Sequence, residues 1–196
     1  PSSTLAVAQR ARQMKEAGED VLAFAAGEPD FVTPEIIRKA AKDALDKGMT
    51  HYAPTLGTPG ARAAVARKLG SENGIEGLTP KHVAIGVGGK QCLYNVFQAL
   101  LNEGDEVLLP VPAWVSYAPQ IQLSGGKVVE LPTDAASGFK ITPEQLKAAI
   151  TPRSRALVIN SPSNPCGTMY APDELRALAK VVADAAGSVA PNLVVV

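Results

Sequence analysis

Three loops carry the residues whose types could do chemistry. The first, residues 86–91, reads Gly-Val-Gly-Gly-Lys-Gln and joins a predicted strand to a predicted helix. Glycine lets the backbone approach a ligand closely, and free N–H groups at a helix start suit a phosphate. The loop does not match the Walker motif, because Ala84 stands where that motif needs a glycine. It does not match GxGxxG either, because Gln91 replaces the third glycine. The loop predicts a phosphate site that is not a nucleotide's, with a plain tight turn as the alternative.

The other two loops offer an aromatic ring and an amide. Residues 110–114 follow a predicted strand and end at Trp114, the only tryptophan of the chain, which could stack on a planar ring or anchor the core. Residues 160–167 contain two X-Pro steps that could hold Asn164 as a hydrogen-bond donor or simply form a rigid turn. Together the three loops predict a site for a flat phosphorylated ring.

The elements that position these loops alternate between short strands and helices. Thr33-Pro34-Glu35 predicts a helix start, and short apolar runs at 82–87, 106–109, 127–131 and 156–160 predict strands. Strands that alternate with helices of about 10–15 residues indicate an α/β fold, a mostly parallel sheet with helices on both faces. Ligands of such sheets bind beyond the carboxyl ends of the strands, where all three loops lie.

Composition excludes several classes of function. Lysine plus arginine equals aspartate plus glutamate at 19 each, so no basic surface predicts a nucleic-acid partner. No leader and no apolar run of membrane-spanning length is recognisable, so no membrane partner is expected. Cys92 and Cys166 form no CxxC pair, and His51 and His82 stand apart, which predicts no metal site and a cytoplasmic location.

The C-terminal run Asn192-Leu193-Val194-Val195-Val196 is typical of a strand buried on both faces. Natural domains seldom stop at such a strand. We therefore expect the 196 residues to be an N-terminal piece of a longer protein. A partner chain that completes the sheet is the alternative.

Four strings of the sequence resemble the class I aminotransferases of pyridoxal-phosphate fold type I, most closely the bacterial aspartate aminotransferases. The similarity runs in register over essentially the whole chain, and its strings are AAGEPDFVTPE (25–35), HYAPTLGTPGAR (51–62), GVGGKQCLYNVFQALLNEGDEVLLPVPAWVSY (86–117) and ALVINSPSNPCGTMY (156–170). It implies an incomplete large, cofactor-binding domain over 37–196, preceded over 1–36 by an N-terminal arm that belongs to a small domain. The family chain is about twice as long.

The resemblance also implies how pyridoxal 5'-phosphate is bound. The backbone N–H groups of Gly89 and Lys90 would hold the phosphate, and Trp114 would stack on the pyridine ring. Asn164 would donate to the phenolic oxygen of that ring. Tyr52 is similar to the tyrosine that reaches the phosphate of the neighbouring subunit, which implies a homodimer.

For the substrate, the resemblance places Gly27 near the α-carboxylate, beside Trp114 and Asn164. Lys90 would face the distal carboxylate of an acidic substrate, although it could instead be a solvated residue at a helix start. The family's catalytic lysine, its ring-nitrogen aspartate with a neighbouring tyrosine, and its carboxylate-binding arginine lie downstream, so no catalytic residue is expected in this chain. Cys166 replaces the family's usual threonine.

The expected function is therefore a transaminase that moves an amino group between aspartate and 2-oxoglutarate. These 196 residues alone are expected to be inactive. Another reaction on the same scaffold, such as a β-lyase or an aromatic or alanine transaminase, remains open. A non-catalytic module for phosphate binding or dimerisation is the alternative from another class.

Overall fold

The computed structural model describes residues 3–24 and 27–196, and it divides into two units between Ala53 and Pro54. The first unit contains helices α1 (Ser3–Glu16) and α2 (Glu35–Asp46). Helix α2 begins where Thr33-Pro34-Glu35 predicted a start, and no residue of it is buried. Ala25 and Ala26, which open the first family-like string, lie outside the described residues. The assignment of residues 1–36 to a small domain stays a prediction.

The second unit alternates helices and strands as predicted. After a first helix and a short 3-10 helix, every strand is followed or preceded by a helix along the chain. In order, the elements are α3 (Pro59–Asn73), the 3-10 helix (Pro80–His82), α4 (Gly88–Leu100), β1 (Glu106–Val111), α5 (Tyr117–Leu123), β2 (Lys127–Pro132), α6 (Pro143–Ala149), β3 (Ser154–Leu157), α7 (Pro172–Ala186) and β4 (Val194–Val195).

The four strands form one parallel sheet in the order β2-β1-β3-β4. In β1, Val107 and Leu109 face one side and contact a core cluster with Phe97 of α4 and Ile121 of α5. The intervening Leu108 belongs to a second cluster with residues of α6 and α7. Strand β1 is apolar on both faces because helices cover both, which confirms the predicted α/β architecture.

The strand predicted over residues 82–87 is wrong. The chain there forms the 3-10 helix and then an extended segment that belongs to no strand. This segment is held by other contacts: Arg62 Nε of α3 donates to the carbonyl of Val83 at 2.8 Å, and the N–H of Ile85 donates to the carbonyl of Leu56 at 3.1 Å. These bonds replace a strand ladder, so the apolar pattern alone indicated the wrong element.

The terminal strand also differs from the expectation. Residues Val194 and Val195 form β4, but their side chains are 37% and 54% exposed rather than buried on both faces. Among the described residues, β4 pairs only with β3. Leu193, just before it, is buried against Ala185 and Ala190.

No helix in the described part of the chain combines the length and the apolar character needed to cross a bilayer. Within the same residues, no group of three or more histidine, cysteine, aspartate or glutamate side chains is arranged to bind a metal ion. The cytoplasmic location stays a prediction.

Candidate functional site

The first turn of α4 leaves backbone N–H groups available. The N–H of Gly88 donates to the carbonyl of Gly86 at 3.0 Å, and the N–H of Val87 donates to the Gln91 side-chain oxygen. The next two N–H groups, those of Gly89 and Lys90, have no partner among the described residues, and no side chain caps the helix. An anion is therefore the group that this turn can accept.

The space in front of this turn is open, whereas the space behind it is filled. A Cβ atom placed on Gly88 or Gly89 would meet nothing within 4 Å. At Gly86 the same atom would lie 2.7 Å from Cys92 Sγ, so this glycine is required for close packing of the loop on the helix. Gly88 itself has a φ of +79°, which favours glycine. The loop thus leaves open space beside Gly88 and Gly89.

Trp114 lies beside this turn, just after β1. Its ring contacts the core cluster around Phe97 and meets the ring of Tyr117 edge to face, with centroids 5.4 Å apart and planes at 86°. The Lys90 Nζ atom lies 5.0 Å from the centroid of the Trp114 ring. The ring is only partly buried, so Trp114 packs on the core and also presents aromatic surface to the site.

Lys90 brings an available positive charge to the same place. Its side chain is exposed, and no carboxylate of the described residues forms an ion pair with it. The N-terminus of a helix adds its own partial positive charge. Together, the ammonium and the first turn of α4 favour a ligand that carries anionic groups.

Sequence reasoning missed Gln120, which joins α5 to this turn. Its Nε2 atom donates to the carbonyl of Lys90 at 2.8 Å, although 30 residues separate the two along the chain. The residue is 7% exposed, and its Oε1 atom is buried with no hydrogen-bond partner in the described structure. The available signal was its position: Gln120 shares the buried stripe of α5 with Tyr117 and Ile121.

Asn164 lies at the carboxyl end of the neighbouring strand β3. The N–H of Asn164 donates to Asn160 Oδ1 at 2.7 Å, which fixes the loop. Its side-chain amide is exposed and makes no hydrogen bond to the described residues. A cleft shared by this loop and the loop after β1 is lined by Pro112 and Ala113 on one side and by Asn160 and Asn164 on the other. The structure thus brings the second and third predicted loops together.

The cleft offers binding groups rather than acid–base groups. Tyr117 and Tyr170 line it, and burial raises the pKa of each phenol, so both hydroxyls stay protonated. No carboxylate, histidine or lysine is among the described residues of its lining. This arrangement can hold and orient a ligand through N–H groups, an amide and aromatic surface.

Gly27 and Tyr52 belong to the first unit of the chain. Both are exposed, and the side chain of Tyr52 extends fully into solvent. Their assignments to the substrate carboxylate and to the neighbouring subunit's phosphate stay predictions.

Comparison with known proteins shows that this chain is similar in sequence to aminotransferases. The sequence pattern of aminotransferase class I and II matches residues 19–189. A probable aspartate/prephenate aminotransferase from Thermus aquaticus is 50% identical over 92% of this chain and 47% of its own length. An aspartate aminotransferase from Geobacillus stearothermophilus is 48% identical over 92% of this chain and 46% of its own.

Solved structures agree with this result. The aspartate aminotransferase from Thermus thermophilus with maleate superposes with a TM-score of 0.89 at 47% identity, over 94% of this chain and 48% of that one. The aspartate aminotransferase from Rhizobium meliloti gives a TM-score of 0.90 at 40% identity, over 100% and 47%. The chain therefore spans about half the length of the relatives it matches and has the fold type I architecture that its motifs implied. On its sequence and its fold, this chain belongs to the family of class I and II aminotransferases.

Proposed function

We propose that this chain forms the part of an aminotransferase site that binds the phosphate and ring of pyridoxal 5'-phosphate. The observation that carries the proposal is the first turn of α4, where the N–H groups of Gly89 and Lys90 have no partner among the described residues and the partly exposed ring of Trp114 lies nearby. A phosphate suits these donors, and a flat ring suits the indole. The residues present therefore fit the group.

When bound, pyridoxal phosphate supplies an electron sink for the carbanion formed at the α-carbon of an amino acid. The chain's own residues hold and orient it. Gly89 and Lys90 bind the phosphate oxygens through their N–H groups, and Trp114 fixes the plane of the ring. The amide of Asn164 donates to the phenolic oxygen, since it has no hydrogen-bond partner among the described residues.

The substrate of the complete protein is an acidic amino acid, aspartate, with 2-oxoglutarate as the acceptor. Lys90 supports this choice because its ammonium has no carboxylate partner among the described residues and lies 5.0 Å from the Trp114 ring centroid. A second carboxylate on the substrate would pair with it. Gly27 contributes backbone near the α-carboxylate. Several relatives bear the name aspartate/prephenate aminotransferase, so prephenate is a second acceptor to test.

The complete protein is a homodimer in the cytoplasm, and Tyr52 acts across the subunit boundary. The support for the tyrosine's role is its fully exposed side chain, which makes no hydrogen bond to the described residues. Its hydroxyl is free to donate to a phosphate oxygen of the neighbouring subunit.

The test uses the complete gene product that carries these residues. Purified without cofactor, it is titrated with pyridoxal phosphate, and amino transfer from aspartate to 2-oxoglutarate or prephenate is then measured. We expect saturable cofactor binding and turnover with aspartate. Turnover by elimination, or with alanine or an aromatic amino acid alone, would contradict the substrate assignment. A protein that binds inorganic phosphate but not pyridoxal phosphate would contradict the enzyme and favour a phosphate-binding module.

Lys90→Met tests the acidic specificity. We expect the KM for aspartate to rise at least about tenfold, because a charged hydrogen bond is lost, while the KM for alanine stays the same. Lys81→Met is the matched control, since Lys81 is also exposed and makes no ion pair with a described residue. A Lys90 variant that keeps its preference for aspartate would refute this role.

A further inference from the structure

The bond between Gln120 and Lys90 lies directly behind the proposed phosphate site. Gln120 Nε2 donates to the carbonyl of Lys90, whose own N–H has no partner among the described residues. Among the described residues it is the only hydrogen bond from α5 to the first turn of α4. A second tie lies two turns further along α4. There the Gln98 amide donates to the carbonyl of Leu123, at the end of α5, and to Ser124 Oγ just after it.

A purely structural role explains this glutamine poorly. The residue is 7% exposed, and its Oε1 atom is buried without a partner. An unpaired buried acceptor costs stability, and an apolar side chain of similar length would fill the same space without that cost. The unpaired oxygen serves no purpose in packing, whereas the amide nitrogen fixes one backbone group at the site.

We propose that Gln120 is a positioning residue for phosphate binding, an inference that rests on the proposed function. By holding the Lys90 carbonyl, its amide fixes the peptide group between Lys90 and Gln91, and so holds in place the backbone of the first turn that carries the Gly89 and Lys90 N–H groups. The same anchor holds the Lys90 backbone from which the side chain reaches the ring of Trp114. Gln120 itself touches neither phosphate nor substrate in this arrangement.

The test compares Gln120→Met with Gln98→Met in the complete gene product. Both substitutions remove a side-chain amide that ties α4 to α5, but only the first releases the turn that faces the ligand. The measurements are the dissociation constants of pyridoxal phosphate, inorganic phosphate and unphosphorylated pyridoxal for the cofactor-free protein, together with its thermal midpoint. None of these requires turnover.

For Gln120→Met we expect the dissociation constants of pyridoxal phosphate and inorganic phosphate to rise about fivefold to tenfold. The dissociation constant of pyridoxal should stay unchanged. The thermal midpoint should stay unchanged or rise. Gln98→Met should leave all three constants unchanged. Weaker binding of pyridoxal and phosphate alike, in step with a lower midpoint, would overturn the positioning role, as would unchanged constants in Gln120→Met. If the unsubstituted protein binds no pyridoxal phosphate, the proposed function fails first and this inference with it.

Discussion

Glu106 offers the sharpest test of the electrostatics at the amino ends of the strands. The residue opens β1 and is only 3% exposed. Thr151 Oγ1 donates to its Oε2 at 2.6 Å, Arg153 Nη2 donates to its Oε1 at 3.0 Å, and Lys127 Nζ lies 3.9 Å from Oε1. The hydrogen bond from Thr151 lowers the pKa of Glu106 most; burial opposes it, and Arg153 adds to the lowering.

We expect Glu106→Gln to lower the free energy of unfolding by about 1.5–2 kcal/mol at neutral pH. The bond from Thr151 changes from charge-assisted to neutral, which halves a contribution of about 2 kcal/mol. The pair with Arg153 adds about 0.5–1 kcal/mol, because the arginine side chain is 68% exposed and solvent screens it. Asp184→Asn is the control: its pair with Lys180 is exposed on both sides, so we expect a loss under about 0.5 kcal/mol.

The stabilisation that Glu106 provides should depend on pH. Since the folded-state pKa of Glu106 lies below the unfolded value of about 4.3, its stabilisation is present above that pH and is lost as pH falls through the folded value. Urea unfolding followed by circular dichroism should therefore show a difference between wild type and Glu106→Gln that is largest above about pH 5 and shrinks below about pH 4. A difference that is independent of pH, or no larger than the control's, would refute the reasoning.

Two further predictions concern packing and the ring site. Gly126→Ala should destabilise the protein in urea unfolding by about 1–3 kcal/mol, because the new Cβ would lie 2.8 Å from a leucine methyl group and 3.0 Å from an isoleucine methyl group. Gly187→Ala, whose nearest contact would be 3.6 Å, should change stability by under about 0.5 kcal/mol. Trp114→Leu should weaken pyridoxal phosphate binding about tenfold while Trp114→Phe keeps most of it, as a cofactor titration would show; equal losses would argue against stacking.

The parts of this fold that the sequence predicts are those that depend on neighbouring residues. Helix α2 follows from Thr33-Pro34-Glu35, and the sheet follows from apolar runs such as Val107-Leu108-Leu109, which can be satisfied only between two covering layers. The glycine-rich loop at 86–91 likewise predicts a helix start with free N–H groups. In each case the signal and its consequence lie within a few residues.

The parts that the sequence does not predict depend on contacts between distant residues. The apolar segment at 82–87 is not a strand, because Arg62 holds the carbonyl of Val83 from a helix 21 residues earlier. The partners of Glu106 lie as far as 47 residues away, and Gln120 reaches Lys90 over 30. Neither a glutamate at the start of a strand nor a glutamine within a helix shows these partners in the sequence alone.

The two ends of the described sheet differ in how their polar groups are satisfied, and this difference supports the proposed site. At the amino ends, the Glu106 carboxylate has a donor for each oxygen. At the carboxyl ends, the first N–H groups of α4, the Lys90 ammonium and the Asn164 amide have no hydrogen-bond or ion-pair partner among the described residues. Unpaired polar groups cost stability, so a fold that gathers them at one edge keeps them for a ligand that satisfies them. The ligand that matches this set is anionic at one end and flat at the other.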